Sequence, residues 1–325
     1  MPNSISLRSG VLGFRGLKRL RESVKLSARG LWHREATAAW LDFLNSHPMF
    51  LDLVRARPRL LYKIYRPYLS NTACCLGRVQ RMQQHYGFIF RQGLGALTVR
   101  AARAPVMLGQ IQGKTGLPYR IQLRAIEPLE REGELVLQLL QGETLVYSCA
   151  FSFLQGTRGM QLGIGCMQGP QGEQGLQLIK DATRELHGLR PKNLMVKLLG
   201  QIGYDYGCVE LRLVSNANRV VCSATRQGKV HADYDALWQE LEAARRTDGD
   251  YRLPCSAIAP PDLAAIASKK RSEARKRYET LLELASHIRH GLHAPRFDTV
   301  TGTLGQLMPP AQPGRKVSIE KLALA

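Results

Sequence analysis

The stretch Met160-Gln-Leu-Gly-Ile-Gly-Cys-Met-Gln-Gly-Pro-Gln-Gly-Glu-Gln-Gly175 changes character halfway along. Its first half is apolar enough for a strand and its second half is a glycine-rich turn. An amphipathic helix over about Glu173–His187 follows. Strand, turn and helix N-terminus in that order form an anion cradle, because unpaired amides point into the turn and absent Cβ atoms let a phosphate approach. Gly169, Gly172 and Gly175 are spaced at three and no Gly-Lys-Ser/Thr follows, which excludes a Walker A loop. A connection that uses glycine for turn geometry alone has the same sequence, so both readings stay open.

Working outward, the residues before this stretch alternate. Tyr119, Ile121, Leu123 and Ala125 interleave with Arg120, Gln122 and Arg124, while Leu145, Tyr147, Cys149, Phe151 and Phe153 share a face opposite Ser148 and Ser152. Period two predicts half-buried strands. Turn signals at Gly113–Gly116, Glu132–Glu134, Gln141–Glu143 and Gly156–Gly159 divide the zone 104–169 into an antiparallel meander, which also excludes a Rossmann fingerprint.

Beyond the turn, a helix is expected over Lys192–Tyr204, strands over Val209–Ser215 and Arg219–Thr225, and a helix over Tyr234–Arg246. A long helix from Asp262 to about His290 would bury Leu263, Ile266, Tyr278, Leu281, Leu282, Ala285 and Ile288. At the other end, Leu17, Leu20, Val24, Ala28 and Leu31 mark one helix face, with Arg15, Lys18, Arg19, Arg21, Lys25 and Arg29 around it. A second helix is expected from Ala36 to Val54. The predicted class is α+β: a mainly antiparallel central sheet with a strand–turn–helix unit, flanked by helical N- and C-terminal segments. The division is a basic helical arm over 1–34, an α+β domain over 35–291 (helical 35–100, sheet-rich 104–225, helical 230–291) and a disordered tail over 292–325.

Composition narrows the function. The 325 residues carry 46 Lys plus Arg against 26 Asp plus Glu, a formal charge of +20, with 44% apolar content. That core-forming share excludes disorder of the whole chain, and the charge favours an anionic partner. No apolar run reaches the roughly 18 residues of a membrane span, and no apolar core of a secretory signal follows the basic N-terminus. The 7 Cys are irregularly placed with no CxxC pair, which reads as reduced thiols in the cytoplasm without a disulfide framework or a metal cage.

Several clusters could hold a ligand or be structural. In His187-Gly-Leu-Arg-Pro-Lys192, Gly188 suits a helix end and Pro191 the next helix start, and His187 at a helix C-terminus should favour its protonated form. Arg190 and Lys192 would meet a bound anion at the mouth of that helix. Asp233 and Asp235 fit a helix cap or a substrate contact. Arg271 and Arg275, in the basic run Ser268–Tyr278, fit a groove or a solvated face. In Tyr62-Lys-Ile-Tyr65-Arg-Pro-Tyr68, core packing with snorkelling cations competes with nucleic-acid stacking and with a place at the interfacial level of a lipid bilayer.

Tyr65-Arg-Pro-Tyr-Leu69, His85-Tyr86, Gln168-Gly-Pro170, His187–Lys192, Asp233-Tyr-Asp-x-x-Trp238, Leu253-Pro254 and Ser268-Lys-Lys-Arg271 occur in an order that resembles the VirK-like (VirK/YbjX) proteins of Gram-negative bacteria. The chain departs at Arg219, where the family carries His, and at Leu241-Glu242, where it carries Gly-Gly. The resemblance implies roles in virulence, envelope stress and resistance to cationic antimicrobial peptides. The order of elements is also similar to the GCN5-related acyltransferases, in which the turn holds a donor's pyrophosphate. That similarity implies donor contacts at Gln168, Gly169, Gln171, Gly172 and Gly175, with acyl-coenzyme A or aminoacyl-tRNA as donor and an amine as acceptor; Arg190 and Lys192 are the candidate cations for the same phosphates. A proton relay would come from His187, Tyr204, Asp205 or Tyr206.

Three functions therefore compete. The first is an acyl- or aminoacyl-transferase. The second is a non-catalytic factor on the inner membrane surface, held by residues 14–31. The third and weakest is nucleic-acid binding. Strands near 160–168 and 209–215 that splay around an open cleft would favour the transferase, and a gap filled by side chains the accessory factor.

Overall fold

A computed structural model describes residues 4–221 and 232–293. Five strands follow the expected turns closely: β1 (Val106–Gln112), β2 (Pro118–Ala125), β3 (Leu135–Gln141), β4 (Thr144–Gly156) and β5 (Gly159–Gln168). They pair in sequence order, all antiparallel. In β2 the alternation is complete, with Tyr119, Ile121, Leu123 and Ala125 all buried. In β4 it is not: Ser148 and Ser152 are as buried as Cys149 and Phe151. Tyr68 shares a hydrogen bond with the Ser152 hydroxyl at 2.8 Å, Ser152 accepts from the Glu134 amide at 3.0 Å, and Ser148 accepts from the Gln138 side chain at 3.1 Å, which a half-buried reading of the serines did not anticipate.

Helices α6 (Gly172–Glu185) and α7 (Pro191–Asp205) carry the chain from β5 to β6 (Glu210–Leu213), which lies parallel to β5. The sheet of eight strands closes with β7 (Ala244–Arg245) and β8 (Tyr251–Pro254), in the order β1-β2-β3-β4-β5-β6-β8-β7. Helical segments stand at both ends. The N-terminal ones are α1 (Gly16–Trp32), α2 (Arg34–Asn45), α3 (Met49–Ala56), α4 (Cys75–Arg91) and α5 (Gly95–Arg103). After β6 come α8 (Tyr234–Glu240) and, after β8, α9 (Ser268–His293). The mixed α/β class with a mainly antiparallel sheet stands.

Three expected elements differ. Pro48, which lacks an amide hydrogen and disfavours helix at the residue before it, splits the predicted Ala36–Val54 helix into α2 and α3. The Tyr234–Arg246 helix stops at Glu240 because Glu242 turns left-handed at φ 57°. The chain then folds back as β7, and Arg246 reaches buried Glu210 at 2.8 Å. The last helix begins at Ser268, later than Asp262, and buries Leu284 while Leu282 stays exposed. Val220 and Val221 lie in a turn rather than a strand, and residues 222–225 of the expected strand, like the tail from residue 294, fall outside the described residues.

One hydrophobic cluster joins both helical ends to the sheet. Polar groups within it are paired. Glu134 accepts hydrogen bonds from Lys63 at 2.6 Å and from the Tyr86 hydroxyl at 2.5 Å, and all three residues are buried. Lys63 therefore does not snorkel. Nearby, His85 accepts the amide hydrogen of Phe153 on Nδ1 at 3.1 Å. Burial and then the charge of Lys63 push its pKa down to about 3. The unfolded imidazole titrates at about 6.5, so between these values only the unfolded chain gains the proton. The stability is fully present above the unfolded value and is lost as pH falls, at about 1.4 kcal/mol per unit. Urea unfolding at pH 5 should show about 2 kcal/mol less stability than at pH 7 from this source. His85→Gln should flatten that difference, and an unchanged slope would contradict it.

Candidate functional site

The glycine turn takes its shape from three local requirements. Gly172 opens α6 at φ 75°, a left-handed value that favours glycine. A Cβ on Gly169 would lie 2.9 Å from the Tyr147 ring, and one on Gly175 would lie 2.8 Å from the carbonyl carbon of Pro170. Turn geometry and close packing thus explain all three glycines before any ligand is invoked.

Beside this turn lies a cavity of about 570 Å³, in the size range of small-ligand sites. Tyr147, Gly169 and Pro170 wall it on the strand side; Lys180 and Arg184 reach it from α6, and Arg190 and Lys192 from the start of α7. Pro191 at the first position of α7 pre-sets the helical turn, with Arg190 as the N-cap residue and no side chain capping it. Four cations around one recess repel each other; Arg184 is paired with Asp181 at 3.0 Å, and the fold supplies a second carboxylate between Arg190 and Lys192. Glu240 of α8 binds Arg190 at 3.0 Å and Lys192 at 2.6 Å. The Lys192 contact, foremost, holds the Glu240 carboxyl below its ordinary value.

Of the residues singled out from sequence, the cavity gathers Gly169, Arg190 and Lys192. Gln168 and Gln171 are exposed nearby, and they and the other two glycines do not line it. The proposed relay lies elsewhere. Tyr204 and Asp205 close the far end of α7, some 20 Å from Lys192 at 1.5 Å per residue. Asp205 is held by Arg289 at 2.7 Å, and Tyr206 packs edge-on to Phe88 and Phe153. His187 lies two residues past the end of α6, at φ 55°. Burial first, then Lys276 and Lys114, lower its pKa, so the protonated form expected from the helix end is disfavoured.

Asp233 and Asp235 form a clamp on Asn216. Asp233 accepts from its side-chain amide at 2.7 Å and from the amide of Ala236 at 3.1 Å, while Asp235 accepts from its backbone amide at 3.0 Å. On α9 it is Lys270 and Arg277, rather than exposed Arg271 and Arg275, that border a second, mostly apolar groove of about 760 Å³ against α7. Lys180 and Arg184 were not singled out in the sequence. Their signal was an i,i+4 cation pair on the helix that follows the glycine turn.

The gap between β5 and β6 is the remaining feature. The two strands pair from Gln161–Glu210 to Ile164–Leu213 and then part, while β5 stays paired with β4 to Gln168. Tyr234 fills the opening: its hydroxyl accepts from the Met167 amide at 2.7 Å and donates to the Met167 carbonyl at 2.8 Å. Trp238, wholly buried, donates to the Val214 carbonyl at 2.8 Å. Arg219 lies over the Tyr234 ring at 3.9 Å and donates to the carbonyl of Ala232. The strands splay, and side chains close the splay.

Fold and cavity together define an α/β protein with a ligand-sized, cation-walled recess where an antiparallel meander crosses over into a parallel strand. The chain belongs to the family described as Protein of unknown function (DUF535), whose model matches residues 15–290. Within it the relation to VirK/YbjX proteins holds. The chain is 28% identical over 263 residues to the uncharacterized protein YbjX of Escherichia coli (strain K12), covering 79% of each chain. An uncharacterized protein of Haemophilus influenzae is 26% identical, covering 84% of this chain and 91% of that one. A relative from Mannheimia haemolytica named Membrane protein LapB is 27% identical over 54% of this chain and 77% of its own. Among solved structures, a mutant of a cAMP-binding acyltransferase from Mycobacterium smegmatis aligns at 11% identity and a TM-score of 0.29, over 65% of this chain and 61% of that one. Among the described residues, no helix is long and apolar enough to cross a membrane.

Proposed function

We propose that the protein binds a phosphate-bearing ligand in the recess between Gly169 and the start of α7, and acts as a binding factor in the VirK/YbjX group. The observation that carries this reading is the convergence of Lys180, Arg184, Arg190 and Lys192 on one cavity. Oriented cations beside an uncapped helix start suit phosphate oxygens. Binding is favoured over acyl transfer for two reasons. Tyr234 and Trp238 occupy the gap in which an open cleft was expected of a transferase, and the relay candidates sit at the opposite end of α7.

Calorimetric titration with inorganic pyrophosphate and with coenzyme A tests the reading. Both should bind, and Arg190→Ala/Lys192→Ala should weaken both about tenfold, as expected for two partly exposed charge contacts. Glu240→Gln should do the reverse, because it removes the carboxylate that competes for the same two cations. Absence of heat with both ligands, or an unchanged affinity in the double variant, contradicts the proposal.

A further inference from the structure

Helix α1 turns its apolar side away from the protein. Leu17, Leu20, Val24 and Leu31 are 86%, 63%, 61% and 72% exposed, and Trp32 at its end is 85% exposed. With 3.6 residues per turn, the four aliphatic residues fall within an arc of about 60°. Leu26, on the opposite side, is 1% exposed. Gly30 explains how that narrow side docks: a Cβ there would come within 2.7 Å of Leu7 Cδ1. The domain therefore holds α1 by Leu26 and Gly30 and leaves its larger apolar stripe to solvent. Contiguous exposure of this kind marks an interaction surface.

Charge selects the occupant. Arg21, Lys25 and Lys18 follow one flank of the stripe, with Arg29 and Arg15 beyond them, and all five are exposed. The acidic Glu22 is paired with Lys25 at 3.1 Å. A second copy laid stripe to stripe would press like charges together. A negatively charged lipid surface would take the aliphatic stripe at its acyl boundary, Trp32 at the headgroup level and the cations among the phosphates. We propose that α1 is a docking helix that lies in the plane of an anionic bilayer. This placement is independent of what the recess binds.

The test uses the full chain with phosphatidylcholine vesicles, with and without one quarter phosphatidylglycerol. Trp40 and Trp238 are buried, so among the three tryptophans the exposed Trp32 should report docking by a blue shift in emission. Flotation should recover the protein with the anionic vesicles only. Leu20→Ser/Val24→Ser should reduce partitioning about thirtyfold, since two half-inserted aliphatic side chains are lost. Lys18→Gln/Arg21→Gln should reduce the preference for anionic lipid, and Leu176→Ser, an exposed leucine on α6, should change nothing. Equal recovery with both vesicles overturns the proposal. So does an oligomer that Leu20→Ser/Val24→Ser disperses, because the stripe would then cover a second copy.

Discussion

Glu134→Leu should lower the stability of the protein by about 3–5 kcal/mol, read as a shift in the urea midpoint at constant slope. The carboxylate is wholly buried and joins Lys63 and Tyr86, which come from different helical segments before the sheet. Removing it leaves the Lys63 ammonium in a 3% exposed position with only the Gly133 carbonyl, at 3.4 Å, as a remaining hydrogen-bond acceptor. An ammonium stranded in low dielectric costs far more than the hydrogen bond itself. The comparison that isolates this effect is Lys63→Met/Glu134→Leu. With both charges gone the desolvation penalty goes too, and the residual loss is the unpaired Tyr86 hydroxyl, about 1–3 kcal/mol. The double variant should therefore be more stable than Glu134→Leu alone. Simple additivity of the two single changes would show that the ion pair contributes no coupling.

That pair also marks where the sequence stops being informative. Lys63 and Glu134 are 71 residues apart, and the lysine sits among tyrosines in a pattern that fits a snorkelling side chain equally well. The meander was legible because period-two burial and glycine turns are local signals, each contained in ten or so residues. The glycine stretch was legible for the same reason, as was the α6–α7 connection through Gly188 and Pro191. Local signals also located Arg190 and Lys192. They could not show that Glu240, some fifty residues later, would sit between them, or that Tyr204 and Asp205 would end up a helix length away. For α1 the sequence defined the stripe but not its direction. Which side a helix buries depends on what the neighbouring segment offers, and here Gly30 with Leu7 offered the narrower side.

Trp238→Ala should cost about 3–5 kcal/mol, in line with other large-to-small changes of a buried aromatic. The indole is 0% exposed and packs edge-on to Tyr234 at 5.8 Å, so its removal leaves a void and orphans the Val214 carbonyl. Tyr234→Phe is the milder companion. It keeps the ring that Arg219 covers but leaves the Met167 amide without its acceptor, for a loss of about 1–3 kcal/mol. These two side chains also separate binding from transfer. If they are permanent parts of the core, Tyr234→Phe should leave the affinities for pyrophosphate and coenzyme A unchanged, because neither residue lines the cation-walled cavity. If they instead yield to a donor's arm entering between β5 and β6, loosening the plug should tighten coenzyme A selectively and leave pyrophosphate as it was. The filled gap argues for the first outcome, since displacing Tyr234 would forfeit both of its hydrogen bonds to Met167 and its contact with Trp238 at once.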